Sequence, residues 1–166
     1  TGAYQLALAE AHHAGHPIIA MVIGRAISGA FLCHGLQADH ILSLTSEFGT
    51  MIHVMPLSSI ARITRQDVER LSELSRTNPV FAAGPELFWQ LGGVEALIQA
   101  IPEMKGTIVR HIAEVRQQKQ AAGVTATGPQ GRGIAGEARG GRKMRNVILA
   151  QMREEYRAVA ARYQPA

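Results

Sequence analysis

Cysteine is nearly absent from this 166-residue sequence. Cys33 stands alone, so no internal disulfide can form and no cysteine zinc site can be assembled. Aromatic residues are also scarce, at 5%. The longest unbroken apolar run, Ile18–Ile23, falls far short of the roughly 20 residues that a membrane-spanning helix needs. The first residues carry neither a basic region nor a long apolar stretch, so no signal-peptide pattern is visible and a reducing cytoplasm is the expected compartment. With 46% hydrophobic and 18% charged residues, the composition is close to that of an ordinary soluble globular protein and excludes a disordered or collagen-like chain.

The net charge of +4 conceals an asymmetry. Residues 1–100 hold five Lys/Arg against eight Asp/Glu, whereas residues 101–166 hold twelve against five. The first part reads as a folded domain. The second reads either as a basic arm for an anionic or subunit partner or as an ordinary solvated surface.

The local patterns alternate between helix and strand. Tyr4, Leu8 and Ala11 have helical spacing, and Gly15 followed by Pro17 stops that helix. Pro17–Ile23 is continuously apolar, as expected for a strand buried on both faces, and His40–Leu44 reads the same way. A helix over Ser28–Ala38 connects them, so parallel pairing through a crossover is expected. Met51–Met55 reads as a third short strand. Thr64 and Asp67 suggest a capped helix over residues 65–75, followed by a break at Asn78-Pro79. Residues 86–90 and 94–100 read as short helices around Gly92-Gly93, and residues 106–121 as a longer one. Seven glycines and Pro129 between residues 123 and 141 suggest a mobile loop, after which a last helix runs over residues 142–162.

The informative segment joins the first strand to its helix. Gly29, without a Cβ, allows close backbone approach to a ligand, and a helix start offers free N–H groups and a favourable dipole to an anion or oxyanion. A tight turn that uses glycine for packing alone explains the same spacing. Three familiar motifs are missing here. There is no Gly-Lys-Ser/Thr ending of a phosphate loop, no middle glycine of a dinucleotide fingerprint between Gly24 and Gly29, and no G-x-S-x-G frame around Ser28.

The whole segment from Val22 to Asp39, with Ser28-Gly-Ala-Phe-Leu32 and Gly35-Leu-Gln-Ala38 inside it, resembles an oxyanion-hole segment of the crotonase superfamily. Together with Ile52-His-Val-Met55 and Ala61-Arg-Ile-Thr-Arg65 it resembles most the gamma subunit of biotin-independent malonate decarboxylase, over the stretch up to about residue 100. The resemblance implies a crotonase-like (ClpP/crotonase) fold in which parallel β-strands are joined by crossover helices. It implies a partial carboxyltransferase-like domain at residues 1–105, lacking the N-terminal segment that carries the first oxyanion contributor, and a helical, glycine-rich, basic C-terminal extension at residues 106–166. By the same resemblance the subunit works with a beta subunit of the same fold and with the alpha subunit and acyl carrier protein (delta) of an oligomeric complex. That complex converts malonyl-S-acyl carrier protein to acetyl-S-acyl carrier protein and CO₂. The substrate rides on a CoA-derived arm of the carrier, and no directly bound cofactor, metal or biotin is implied.

Carried over residue by residue, the resemblance places the oxyanion donors at the Gly29 and Ala30 backbone N–H groups, with Ser28 beside them, and a substrate-binding role at Gly24 and His34. The hydratase glutamate of the superfamily would fall on Leu32 or Cys33, neither of which can act as a carboxylate acid, which argues against enoyl-thioester hydration.

Other residues have plainer readings. His12 and His16 have an i, i+4 zinc-type spacing without a third ligand nearby, and read as two surface histidines. His34 could deliver a proton or simply pack on its helix. Cys33 reads as a small core residue, Gln37 as a structural hydrogen-bonder, and Phe88 and Trp89 as core or interface. Alone, the chain is expected to be inactive and to associate through Phe81, Phe88, Trp89 and Leu91. Two alternatives stay open: a carboxyltransferase subunit of an acyl-CoA carboxylase, and a non-catalytic binding module whose Arg132, Arg139, Arg142, Lys143 and Arg145 grip nucleic acid. No nucleic-acid motif or membrane segment supports the second.

Overall fold

The chain alternates helix and strand from its start. A computed structural model describes residues 2–77 and 83–162. Helix α1 (Gly2–His13) ends at Gly15, whose φ of +86° is a left-handed conformation that suits glycine. Strands β1 (Ile19–Val22) and β2 (Arg25–Ile27) lead into helix α2 (Ser28–Cys33), and β3 (His40–Leu44) and β4 (Met51–His53) follow. Helices α3 (Leu57–Thr64), α4 (Val68–Thr77) and α5 (Pro85–Gln90) precede β5 (Ala96–Ile98), and α6 (Met104–Ala122), α7 (Gly128–Ala138) and α8 (Arg145–Val159) complete the order. The result is a mixed α/β structure with parallel strands.

The main sheet has the order β1-β3-β5, parallel throughout, with Ile19 opposite His40 and Leu42 opposite Ala96. Every residue of β3 is buried, including the polar His40 and Ser43, as expected of a central strand covered on both faces. Side chains alternate along it. Ile41 joins Val22, Phe31, Ile52 and Val94 in one core. Leu42 and Leu44 join Ile98 in the other, with Met104 and Ile108 of α6 packed against them. A second, two-stranded parallel sheet pairs β2 with β4. It holds the strand-to-helix turn after β1 against the rest of the domain.

Several expectations need correction. The β1 run is an edge strand of its sheet, not doubly buried, and Ile23 is 65% exposed. The crossover helix is short and is finished by a 3₁₀ turn at Gly35–Gln37. Residues 94–100 contain β5, not a helix, because pairing with the fully buried β3 outweighs the helical preference of Glu95-Ala-Leu. Thr64 caps nothing ahead of it. It closes α3, donating to the Ile60 carbonyl, and the Asp67 carboxylate caps α4 by accepting the Arg70 N–H. The Asn78-Pro79 break and Phe81 lie outside the described residues.

The largest correction concerns the glycine-rich stretch, which forms α7. Its glycines permit backbone contact. A Cβ on Gly131 would strike the Ala126 carbonyl and one on Gly136 the Leu91 carbonyl, and a Cβ on Gly92 would strike the Arg132 carbonyl and the Gly136 nitrogen. Helix α7 therefore lies directly on the main chain at Leu91-Gly92. Gly128 and Gly140 additionally hold φ of +69° and +77°. Helix α6 packs against β1 and β3, with Val115 wholly buried.

Gly136→Ala should therefore cost about 1–3 kcal/mol of stability, as expected for forcing an extra carbon into a packed site, despite the better helix propensity of alanine. Urea denaturation beside Gly29→Ala, which adds its Cβ to open space, measures the contrast.

Candidate functional site

The strand-to-helix turn begins the candidate site. Ser28 adopts φ +54°, an uncommon left-handed conformation for a residue with a side chain. It turns the chain from β2 into α2. The N-cap residue is Ile27, which has no acceptor to offer the first N–H groups of the helix. Ser28, Gly29 and Ala30 are all exposed. A Cβ at Gly29 or Gly24 would meet no atom within 4 Å among the described residues, and neither glycine has a positive φ. Packing does not explain these two glycines.

Beside the turn lies an open, mainly apolar cavity of about 520 Å³, walled by residues 20–27 together with Ala30, Phe31 and Gly35. Gly24 and Ala30 thus share one cavity, with Ser28 and Gly29 on the same turn. Arg25, which sequence reasoning passed over, is exposed at the cavity and supplies its cation. His34 is not among the lining residues. Its ring packs edge-on against Tyr4 of α1 at 4.8 Å, and its Nδ1 is buried with no hydrogen-bond partner among the described residues. Cys33 is a free, half-buried thiol whose carbonyl accepts from Gln5.

A second, polar cavity of about 320 Å³ lies between the end of the sheet, α6 and α7. Asp39 is at its floor. The carboxylate accepts from the Ile18 N–H at 2.8 Å, Thr127 Oγ1 at 2.7 Å and Lys119 Nζ at 2.9 Å, and contacts His12 Nδ1 at 2.6 Å. Burial pushes its pKa up, but Lys119, Thr127, Ile18 and His12 together hold it below the ordinary value. His12 is therefore a half-buried partner of Asp39, not a surface residue paired with His16. Above it, His40 Nδ1 lies 2.9 Å from His111 Nδ1, and His111 Nδ1 lies 3.0 Å from Glu114 Oε2. Burial first, and for His40 also its neighbour His111, lowers both imidazole pKa values. Burial raises Glu95 to about 7, against the pull of the Ile41 N–H, Arg132 and Arg139.

The four arginines of the supposed basic arm contact the protein itself, while Lys143 is exposed. Arg132 is buried and donates to the carbonyls of Ala38 at 2.7 Å and of Leu36. Arg139 donates to the Trp89 and Val94 carbonyls, both at 2.7 Å, with its guanidinium 4.6 Å over the Trp89 ring. Arg142 donates to the Leu91 carbonyl at 2.6 Å, and Arg145 pairs with Glu137 at 3.4 Å. A guanidinium fork suits such carbonyl clusters, and charge counting cannot foresee it. Phe88 likewise packs on Phe31 in the core, at 5.7 Å.

The family model of the malonate decarboxylase gamma subunit (MdcE) matches residues 3–156. The chain belongs to this family. Among curated proteins, the malonyl-S-ACP:biotin-protein carboxyltransferase MADD of Malonomonas rubra is 64% identical over 160 residues, covering 96% of this chain and 55% of that protein. Among solved structures, a Pseudomonas malonate decarboxylase hetero-tetramer in complex with coenzyme A superposes with a TM-score of 0.72 at 27% identity, over 91% of this chain and 57% of that one. The Pseudomonas MdcD-MdcE hetero-dimer shares the fold at a TM-score of 0.64 and 24% identity, over 91% and 55%. The chain spans about half the length of these relatives. The family match extends well past residue 100, through the glycine-rich α7 and most of α8. No helix among the described residues is long and apolar enough to cross a membrane.

Two outcomes test the polar cluster of this gamma-subunit chain. Asp39→Ala removes the counter-charge of the buried Lys119 ammonium, leaving it the His12 and His16 carbonyls as acceptors, and should cost about 3–5 kcal/mol in denaturant unfolding. An acid whose folded pKa lies above its unfolded value is still protonated in the native state after the unfolded chain has lost the proton. The contribution of Glu95 should therefore fall as pH rises from 4.5 to about 7 and then level off. Glu95→Gln removes that slope, so the stability difference between variant and wild type should grow across this window by up to about 3 kcal/mol.

Proposed function

We propose that the protein carrying this chain acts on a malonyl thioester borne by an acyl carrier protein, in a crotonase-like fold, together with a beta subunit of the same fold. The observation that carries the reading is Gly29. It is a glycine that neither packing nor backbone conformation requires, at a helix start without a cap acceptor, beside a cavity with one cation. The family membership and the malonyl-S-ACP in the name of the 64% identical relative support the substrate class.

The chemistry follows from charge. Cleaving the C–C bond between carboxylate and methylene releases CO₂ and leaves the electron pair in an enolate of the thioester, which a proton on carbon converts to the acetyl thioester. Fixed donors lower the cost of the negative oxygen without any proton transfer from the protein. The Gly29 and Ala30 N–H groups fill that role, Ser28 sets their direction, and Gly24 leaves room for the substrate. Arg25 attracts the carboxylate before it leaves. His34, held against Tyr4, is a poor proton donor to this cavity. The carrier's arm is CoA-derived, the alpha and delta subunits complete the oligomer, and the complex works in the cytoplasm.

One observation favours a second reading of the carboxyl group's fate. The 64% identical relative is named for transfer to a biotin protein. In that reading the same enolate forms, but the carboxyl group passes to a biotinylated carrier and is not released in the site. Turnover that needs a biotinylated carrier and is blocked by avidin supports transfer; turnover indifferent to both supports direct decarboxylation.

Gly29→Val, assayed with the partner subunit supplied, should lower turnover of malonyl thioester by about 10²–10³-fold while leaving carrier-protein binding nearly unchanged. His34→Ala should cost much less. A Gly29→Val enzyme that is folded by circular dichroism and keeps near wild-type turnover sinks the oxyanion assignment.

A further inference from the structure

We propose that His40, His111 and Glu114 form a binding site for one divalent cation of the zinc class, which clamps α6 onto β3. The reading of the sequence expected no metal, since it weighed only the lone cysteine and the His12/His16 pair. His40 and His111 are 71 residues apart in sequence, and only the fold brings them together.

Three lone-pair groups converge. His111 Nδ1 lies 2.9 Å from His40 Nδ1 and 3.0 Å from Glu114 Oε2, and one ligand atom from each residue lies within 4.8 Å of the others. The proton count is short. His40 Nε2 faces Gln118 Oε1 at 3.2 Å, an acceptor, so neutral His40 carries its proton on Nε2 and presents a bare Nδ1 to His111. Neutral His111 then has a single Nδ1 proton for two acceptors, His40 and Glu114. A cation in place of that proton satisfies all three at once.

The surroundings fit a metal. Two imidazoles and a carboxylate are a borderline donor set suited to Zn²⁺ and its neighbours. Metal-bound histidines usually donate their second ring nitrogen to an acceptor, and Gln118 already stands in that place behind His40. Bonds of about 2.0–2.1 Å in a tetrahedron need ligand atoms about 3.3 Å apart, so the two contacts of His111 must open by a few tenths of an ångström and the half-exposed Glu114 must swing toward His40, from which it stands no more than 4.8 Å. The three residues line the 320 Å³ polar cavity, which leaves a further coordination position open. The one competitor on α6 is Arg110, 3.6 Å from Glu114 across an exposed i, i+4 pair, a contact too weak to hold the carboxylate.

The test is binding itself, read without activity. Metal-stripped protein is titrated with Zn²⁺ by calorimetry and with Co²⁺ by visible absorption. One equivalent should bind, with tetrahedral Co²⁺ bands and a raised melting temperature. Glu114→Gln and His111→Gln should abolish the bands and the shift, Gln118→Ala should weaken affinity about 10–100-fold, and His13→Ala should change nothing. Circular dichroism checks each fold, and the half-exposed Glu114 keeps the test independent of any damage at the buried histidine. No saturable binding by the wild type below about a millimolar, or binding retained in both Glu114→Gln and His111→Gln, overturns the proposal.

Discussion

The carboxylate of Asp39 ties four separate stretches of chain to the start of β3. His12 comes from the end of α1, the Ile18 N–H from the approach to β1, Lys119 from the last turns of α6, and Thr127 from the turn into α7. The Asp39 carbonyl takes the Gly128 N–H as well. A buried carboxylate is costly to desolvate, and its cost is offset only when every lone pair is met in good geometry. Here the buried Lys119 ammonium, the Ile18 N–H, Thr127 Oγ1 and His12 Nδ1 meet it. The arrangement fixes the height of β3 relative to β1, hence the length of the crossover between them. The exposed turn at Ser28–Ala30 is therefore held from the opposite end of that crossover.

A second constraint works on the backbone. Helix α7 approaches the α5-to-β5 connection closely enough that glycine is required on both sides, at Gly92 and at Gly136. The same connection and the end of the α2 crossover present carbonyls that no strand or helix satisfies internally. Arg132, Arg139 and Arg142 supply donors to them. Glycines and arginines here are two parts of one solution: the first let the main chains touch, and the second satisfy the carbonyls that such contact leaves unmet.

How much was legible in the sequence depends on whether the cause was local. The parallel pairing of β1 and β3 followed from two mainly apolar runs around a glycine-bearing turn, and the structure agrees. The glycines of that turn could also be singled out, because a residue without a side chain is visible wherever it stands. Strand β5 was not legible: Ala96–Ile98 has no alternation of its own and is a strand only because β3 lies beside it. The stretch at 123–141 was misread for a related reason. Glycine density signals freedom in an isolated chain, yet at Gly131 and Gly136 it signals contact. The cluster of His40, His111 and Glu114 left only half a trace, a His-x-x-Glu step with Gln118 one turn further along α6. Its other half sits on a distant strand.

The inward arginines also change what the formal charge means. A phosphate backbone is gripped by cations that can reach it and displace condensed counterions. Arg132 and Arg139 already direct their donors at carbonyls, and Lys119 is locked beneath Asp39. The twelve basic residues of the last 66 therefore overstate the affinity of this surface for a polyanion. Retention on a phosphate-bearing matrix would follow the outward Lys105, Arg110 and Arg116 of α6, Lys143, and Arg153 and Arg157 of α8, and not the full count of twelve.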